Sequence, residues 1–310
     1  MSDKKAILLC PGQGAQKVGM GREWFESSAI VRDIFGQADA ILKDEIGGVL
    51  SEICFDGPDA RLNETDVAQP GLYTCAVASY RALAADGDDE GLGELVGAAG
   101  LSLGEYTALH LAGAFSFEDG LRLVAKRGRY MQEAAVASEG GMVAVTRPSE
   151  EEAEVICDRA REGEVLVCAN FNAPGQIVLS GSKGACERAV GIAEEMGHRA
   201  TVLAVAGAFH SPLMGSAVEK MGEGLAKCEF SALKCPVVSN VTAEPHGDDL
   251  SLVKELLLKQ IVSPVRWSQS CEWMVSHLAG DYHEAAPGKV LMGLMRRIHR
   301  ETKVIHHDQP

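Results

Sequence analysis

Two patterns of hydrophobic and polar positions divide the chain. In residues 1–136 and again in residues 207–310, short unbroken apolar runs such as Ala6-Ile7-Leu8-Leu9-Cys10 are separated by segments in which apolar residues return every three or four positions. Unbroken runs of this length are typical of strands buried on both faces, and the three-to-four spacing is typical of helices that pack on them. The two segments therefore predict one α/β domain with a mostly parallel sheet.

Between residues 137 and 206 the predicted elements are shorter and follow a different order. Strands are predicted at 142–146, 165–169, 176–180 and 200–205, and helices at 149–161 and 183–196. The first helix has a capping box in Ser149 and Glu152, three positions apart. The order β-α-β-β-α-β is typical of a ferredoxin-like fold. We therefore predict a small ferredoxin-like domain over residues 137–206, inserted into a larger domain made of residues 1–136 and 207–310.

A Gly-x-Ser-x-Gly motif, Gly100-Leu101-Ser102-Leu103-Gly104, follows the apolar run that begins at Leu95. Such a motif between a strand and a helix is typical of a nucleophile elbow, a sharp turn that exposes the serine; the alternative is a Gly-Ser turn before an ordinary helix. The two glycines leave room for the backbones to approach, and the first N–H of the helix, from Leu103, can stabilise an oxyanion. The large domain is therefore predicted to be α/β-hydrolase-like, with Ser102 as nucleophile.

A serine nucleophile needs a base, and the chain has nine histidines. His210 is the best placed, because it lies in a turn bounded by Gly and Pro where the chain returns from the small domain to the large one. Five histidines fall in polar contexts and are predicted to be exposed: His198, His246, His299, His306 and His307. Residues 306–310 are predicted to be a frayed tail, and the Asp- and Gly-rich residues 86–93 a surface loop.

Composition narrows the possible functions. The net charge of −15, from 29 Lys and Arg against 44 Asp and Glu, argues against broad nucleic-acid binding. Nine cysteines are scattered without a Cys-x-x-Cys spacing, which indicates a reducing compartment and no zinc site. The loop at residues 11–16 lacks both P-loop and dinucleotide-binding motifs. No apolar run approaches the roughly 18 residues of a membrane span, and no secretory segment precedes the first strand, so the prediction is a cytoplasmic protein without a membrane partner.

Motifs spread over nearly the whole chain resemble, in the same order, those of one family. They are Pro11-Gly12-Gln13-Gly14-Ala15-Gln16, Gly100 to Glu105, Arg127-Gly128, Ala208-Phe209-His210, Asn240, Gln260 with Pro264-Val265-Arg266-Trp267, and Pro287-Gly288-Lys289-Val290-Leu291. The family is that of malonyl-CoA:acyl carrier protein transacylases of type II fatty-acid synthesis, with the related acyltransferase domains of polyketide synthases. Several motifs in one order are far more specific than any single motif.

The resemblance implies a ping-pong transfer through a malonyl-serine ester. Ser102 would attack the malonyl thioester, and His210 would first accept the serine proton and later activate the phosphopantetheine thiol of acyl carrier protein. The backbone carbonyl of Gln260 would orient His210, and the N–H groups of Gln13 and Leu103 would form the oxyanion hole. Malonyl-CoA and acyl carrier protein are therefore the implied partners, and neither a cofactor nor a metal ion is implied.

Four further positions complete the implied site. Arg127 would bind the free malonyl carboxylate through a bidentate fork that lysine cannot reproduce. Phe209, just before His210, resembles the malonyl-type version of this motif in polyketide acyltransferases, in which a bulky ring would leave little room for an α-methyl group. Asn240 is expected in the same pocket. Leu101 departs from the histidine most often found before the family's serine. Since leucine can neither ionise nor form a hydrogen bond, we expect Leu101 to shape the pocket.

Other interpretations compete with a fatty-acid transacylase. Within the family, the alternative is an acyltransferase of polyketide synthesis. A serine esterase or thioesterase would use the same elbow, but no acidic residue between Ser102 and His210 has the strand-end position of a hydrolase triad. A non-catalytic scaffold would not need Ser102, His210, Gln13 and Arg127 together. Because the carrier is acidic, docking requires local basic residues, for which the candidates are Arg122, Lys126, Arg129, Arg296, Arg297 and Arg300.

Overall fold

The strands of the chain form two separate sheets. The computed structural model describes residues 4–85 and 91–310, so most of the loop predicted over residues 86–93 lies outside the described residues. The strands are β1 (Lys5–Cys10), β2 (Glu94–Gly100), β3 (Gly140–Thr146), β4 (Leu166–Ala173), β5 (Gln176–Ser182), β6 (Arg199–Val202), β7 (Val237–Val238), β8 (Asp281–Glu284) and β9 (Val304–His306). One sheet has the order β7-β2-β1-β8-β9 and the other β4-β5-β3-β6.

Pairings in the five-stranded sheet are parallel and those in the four-stranded sheet antiparallel. The helices are α1 (Arg22–Ser27), α2 (Ala29–Leu42), α3 (Leu50–Asp56), α4 (Asp59–Leu62), α5 (Thr65–Ala85), α6 (Leu103–Leu111), α7 (Phe117–Ser138), α8 (Glu150–Arg161), α9 (Lys183–Glu195), α10 (Gly215–Lys227), α11 (Leu250–Gln260), α12 (Trp267–His277) and α13 (Val290–Ile298). None of the helices found in residues 4–85 and 91–310 is long and apolar enough to span a bilayer. The chain is thus a mixed α/β protein with a mostly parallel sheet and a separate antiparallel sheet.

Both faces of the five-stranded sheet are buried. Ile7 and Leu9 of β1 pack with side chains of α12 and α13, whereas Leu8 and Cys10 pack in a larger cluster with side chains of α5, α6 and α7. Because successive side chains of a strand point to opposite faces, a sheet covered on both sides needs apolar residues at every position. This explains the unbroken apolar runs in the sequence.

The four-stranded sheet has a core of its own. Val143 and Val145 of β3 pack with α8 and α9, while Met142 faces the larger cluster. The predicted capping box begins α8, because Ser149 Oγ accepts the Glu152 N–H at 3.2 Å and the Glu152 carboxylate accepts the Ser149 N–H at 2.8 Å. The elements of this region follow one another as β3-α8-β4-β5-α9-β6, the order that the sequence predicted.

Two predictions about strands need correction. The sequence Pro236-Val237-Val238-Ser239-Asn240 also predicts a strand, but only the two residues of β7 form one. Residues 306–310, expected to fray, begin with the last residue of the edge strand β9, His306, which pairs with Glu284 of β8. They are held further by Trp24 Nε1, which donates to the His307 carbonyl at 2.9 Å, and by the Asp308 carboxylate, which accepts from Lys17 Nζ at 2.7 Å. A short polar segment with partners so distant in sequence gives no local signal of order.

Candidate active site

Ser102 lies at the turn between β2 and α6, at the carboxyl edge of the parallel sheet. Its backbone has φ 53° and ψ −102°, a strained conformation for a residue with a side chain. Tight packing of the turn imposes this conformation. A Cβ atom at Gly100 would overlap the carbonyl carbon of Gly104, and a Cβ atom at Gly104 would overlap the carbonyl oxygen of Cys10. The spacing of the two glycines therefore reflects direct contact between strand, turn and helix.

The serine hydroxyl is in contact with a histidine. The distance from Ser102 Oγ to His210 Nε2 is 2.8 Å, and that from His210 Nδ1 to the Gln260 carbonyl oxygen is also 2.8 Å. Since a carbonyl only accepts, Nδ1 carries the proton and Nε2 presents its lone pair to the hydroxyl. Burial, and then the charge of Arg127, lower the pKa of His210 from 6.5 to about 4, against the opposing effect of the Gln260 hydrogen bond. His210 is therefore neutral at pH 7 and able to accept a proton.

Arg127 brings a buried positive charge to the same hydroxyl. Its Nη2 donates to Ser102 Oγ at 3.0 Å and to Gln260 Oε1 at 2.9 Å, and its Nη1 donates to Gln69 Oε1 at 2.7 Å. These partners are all neutral, and the guanidinium also lies over the Tyr106 ring, 5.4 Å from its centroid. Although burial lowers the pKa of Arg127, a guanidinium is basic enough to stay charged at neutral pH. A buried cation with neutral partners favours an anionic ligand.

A cavity of about 560 Å³ opens over these residues, between the two sheets. Its lining includes Ser102, His210, Arg127, Gln13, Leu103, Leu101 and Phe209 together with Gln69, Met131, Met142, Asn170, Asn172 and Val178. The part of the chain around the parallel sheet thus supplies the reactive groups, and the four-stranded sheet supplies part of the opposite wall. Two residues expected at the site, Asn240 and Gln260, are not part of the lining. Both are fully buried behind Ser102, so Asn240 is not a pocket residue.

A polar network that sequence analysis missed lies behind the serine. Asn240 Oδ1 accepts the Ser102 N–H at 2.7 Å, and Asn240 Nδ2 donates to the Gly100 carbonyl at 2.8 Å. Glu105 and His246 continue the network, with Glu105 Oε1 2.7 Å from His246 Nε2. The prediction that His246 is exposed is wrong, since its side chain is 0% exposed. Glu105 directly follows the Gly-x-Ser-x-Gly motif and could have been suspected, whereas His246 lies in a polar segment that gives no signal of burial.

The described residues contain no evident metal or disulfide site. Across residues 4–85 and 91–310 no three His, Cys, Asp or Glu side chains are grouped as ligands for a metal ion. All nine cysteines are free and buried. Burial raises the pKa of Cys186, Cys228 and Cys235 to about 11 and that of Cys75 to about 12. Such thiols are poor nucleophiles, so the reactive groups of the cavity are Ser102, His210 and Arg127.

Comparisons with known proteins agree with this geometry. The model of the family described as "Acyl transferase domain" matches residues 7–299. The malonyl CoA-acyl carrier protein transacylase of Bacillus subtilis (strain 168) is 38% identical over 308 residues, which cover 99% of this chain and 94% of the relative. The coverage is therefore nearly complete on both sides.

Solved structures resemble the chain to the same extent. The malonyl CoA-acyl carrier protein transacylase of Coxiella burnetii has a TM-score of 0.92 and 35% identity, and the match covers 99% of this chain and 94% of that one. A type II PKS acyl-carrier protein in complex with its malonyl-transacylase gives a TM-score of 0.92 and 33% identity, with 99% and 97% coverage. Sequence and structure together show that the chain belongs to the malonyl CoA-acyl carrier protein transacylases, within the acyl transferase domain family.

Proposed function

We propose that this chain transfers a malonyl group from malonyl-CoA to the phosphopantetheine thiol of acyl carrier protein. One observation carries the proposal: a buried arginine with neutral partners donates to the same hydroxyl that contacts a neutral histidine. A nucleophile beside a fixed cation selects an acyl group that ends in a carboxylate. A simple esterase has no need of that cation.

The first half-reaction forms the acyl-serine. His210 Nε2 accepts the Ser102 proton as Oγ bonds to the thioester carbonyl carbon, and the carbonyl oxygen becomes an oxyanion. We assign its stabilisation to the backbone N–H groups of Leu103, at the first turn of α6, and of Gln13 in the loop after β1. When the C–S bond breaks, the imidazolium returns its proton to the leaving coenzyme A sulfur. The enzyme is then a malonyl ester with a neutral His210.

The second half-reaction uses the same groups in reverse roles. His210 accepts the proton of the phosphopantetheine thiol, the sulfur attacks the ester carbonyl, and the proton passes to Ser102 Oγ as the C–O bond breaks. Only the Gln260 carbonyl, and not a carboxylate, supports the imidazolium. The resulting base is weaker than that of a Ser-His-Asp triad. A weaker base suits a thiol acceptor, which loses its proton more readily than water.

Arg127 is proposed to hold the malonyl carboxylate. The guanidinium lies at the floor of the cavity, and its fork can give two parallel hydrogen bonds to a carboxylate. Its Nη2 contact with Ser102 Oγ, 3.0 Å long, places the bound carboxylate a few atoms from the attacking oxygen. That separation suits an acyl group in which a single methylene joins the carboxylate to the thioester. Leu101 and Phe209 are proposed to limit the width of the acyl pocket.

The architecture of the chain supports the same function. We propose that the turn at Ser102 is a nucleophile elbow in an α/β-hydrolase-like domain made of residues 1–136 and 207–310. Residues 137–206 are proposed to be an inserted ferredoxin-like domain, supported by their sheet order and their separate core. We further propose that the protein is cytoplasmic, with neither a nucleic-acid nor a membrane partner, and needs no cofactor. The thiol substrate would enter between the two domains.

The basic docking candidates on α7 are not equivalent. Arg122 pairs with Glu118 at 3.0 Å and with Glu45 at 3.1 Å, so part of its charge is already compensated. Arg129 is exposed and stacks on its neighbour Tyr130. We therefore favour Arg129 over Arg122 as a contact for the acidic carrier. The remaining candidates, on α7 and around α13, stay equal in rank.

Intact-protein mass spectrometry tests the proposed function. The wild type and Ser102→Ala are mixed briefly with malonyl-CoA or acetyl-CoA, and holo acyl carrier protein is then added. We expect a malonyl adduct on the wild type alone, discharged by the carrier thiol faster than by water. An adduct discharged equally fast by water would indicate a hydrolase. The absence of any adduct on the wild type would indicate a non-catalytic protein.

A further inference from the structure

We propose that Glu105 is a positioning residue, whose carboxylate fixes the distance between the Ser102 hydroxyl and the His210 imidazole. The inference rests on the proposed function, because it concerns how Ser102 and His210 are kept reactive. Glu105 lies in the first turn of α6, three residues after Ser102, and is 0% exposed. It does not line the cavity and touches neither reactive side chain directly. Its influence would pass through two amide side chains.

One carboxylate oxygen connects the two halves of the site. Glu105 Oε2 accepts Gln260 Nε2 at 2.6 Å and the Asn240 N–H at 3.1 Å. Asn240 in turn accepts the Ser102 N–H, and the Gln260 carbonyl accepts His210 Nδ1. The loop after β7 and the end of α11 are therefore joined at one atom. Displacement of that atom would change the distance between hydroxyl and imidazole.

A buried carboxylate needs compensation, and the network provides two kinds. Glu105 Oε1 is 2.7 Å from His246 Nε2, with both side chains 0% exposed. On the other side, Gln260 Nε2 donates to Glu105 while Gln260 Oε1 accepts from Arg127 at 2.9 Å. The Gln260 amide dipole thus lies between a buried anion and a buried cation, oriented favourably toward both. Removal of the anion would leave these donors facing one another without an acceptor.

The main test variant is Glu105→Gln, which keeps the size of the side chain but replaces an acceptor by a donor. We expect the rate of Ser102 malonylation to fall about 10²-fold, as for a misplacement of about 1 Å at a reacting pair. The KM for malonyl-CoA should change far less, because Arg127 keeps its contact with Gln69 and the cavity walls are intact. The matched control is Thr107→Val, two residues along α6. Thr107 is buried and its hydroxyl has no hydrogen-bond partner in the described chain. The rate of Ser102 malonylation in Thr107→Val should therefore equal that of the wild type.

A neutral reagent separates positioning from substrate binding. Phenylmethylsulfonyl fluoride sulfonylates an activated serine and carries no carboxylate for Arg127. For Glu105→Gln we expect its reaction with Ser102 to slow by the same factor as malonylation. A merely structural Glu105 would lower the melting temperature and leave both rates, measured below that temperature, at the wild-type values. That result would overturn the proposal.

Variants of His246 keep the proposal testable if Glu105→Gln does not fold. His246→Gln retains a donor for Glu105 Oε1, whereas His246→Leu removes it. We expect malonylation to be slower in His246→Leu than in His246→Gln, with KM similar in both. Equal rates would count against the network. If the wild type itself takes no malonyl group but still reacts with the sulfonyl fluoride at a rate that depends on Glu105, the proposed function fails and the positioning role stands.

Discussion

The two sheets of this protein carry their polar groups and their backbone strain in different places. In residues 137–206, Ser180 is the only fully buried polar side chain, and the non-glycine residues with positive φ are Glu139, Arg147 and Glu162, all exposed. Around the parallel sheet, Ser102 at φ 53° and His210 at φ 57° carry the strain at the reactive groups, among buried charges. One region is organised for regular packing, and the other keeps strained and polar residues that chemistry requires.

Replacing a helical glycine by alanine is expected to have opposite effects on stability in the two regions. The first of the two positions is Gly104, in the turn after Ser102. Gly104 is helical, and alanine is normally the better helix former. Here the added Cβ would overlap the backbone carbonyl of Cys10, which cannot rotate away. We expect a loss of about 3 kcal/mol in the free energy of unfolding, at the upper end of overpacking effects, and slower malonylation of Ser102. Urea denaturation and the adduct assay measure both. Unchanged stability would show that the turn has room for a Cβ atom at position 104.

A second prediction concerns the buried charge. Arg127→Lys keeps a positive charge but loses the fork and leaves Gln69 and Gln260 without their donor. We expect kcat/KM for malonyl-CoA to fall about 10²-fold, and the preference for malonyl over acetyl groups to shrink with it. The control is Arg129→Lys on the same helix, whose exposed side chain does not line the cavity, with malonylation of Ser102 measured before any carrier is added. An unchanged preference for malonyl over acetyl groups in Arg127→Lys would mean that another group binds the malonyl carboxylate.

The contrast between the two regions also marks how far the sequence could be interpreted. In residues 137–206 local signals sufficed, since the Ser149 and Glu152 capping box and the order of the short strands and helices are both encoded locally. The tight turn at Ser102 could also be predicted, because its two glycines and its serine lie within five residues. The role of Arg127 was implied only by the resemblance to the family, since Arg122, Lys126 and Arg129 are basic residues of the same helix.

What the sequence could not provide are the partners of polar residues far along the chain. His246 lies in a polar segment, but its carboxylate partner Glu105 is 141 positions away, and burial of the pair depends on the folded loop after β7. Asn240 was expected in the pocket, although it faces the elbow backbone. The C-terminal residues 306–308 are held by β8, Trp24 and Lys17, none of which is near them in sequence. Each of these positions is decided by tertiary pairing.

The low pKa of His210 predicts how the reactive pair responds to acid. Because the base must be neutral, the rate of sulfonylation of Ser102 by phenylmethylsulfonyl fluoride should stay level through pH 6.5 and fall only as the pH approaches about 4. In Arg127→Gln the midpoint should move upward, since the nearby positive charge that lowers the pKa is lost. The same depressed pKa contributes stability above pH 6.5 that is lost as the pH falls toward about 4. A midpoint that stays put in Arg127→Gln would assign the shift to burial alone.

The smallest expected effect belongs to Gly191→Ala, the counterpart of Gly104→Ala in the small region. Gly191 is exposed within α9, and a Cβ atom added there would meet no other atom within 4 Å. Alanine lowers the entropy of the unfolded chain and favours the helix, so we expect a gain of about 0.5–1 kcal/mol in the free energy of unfolding. Urea denaturation beside Gly104→Ala gives the comparison, and malonylation should be unaffected. A loss in the free energy of unfolding for Gly104→Ala and a gain for Gly191→Ala would show what decides which side chain position 104 tolerates. It would be close backbone contact in the turn after Ser102, and not helix propensity. A loss at both positions would remove that distinction between the regions.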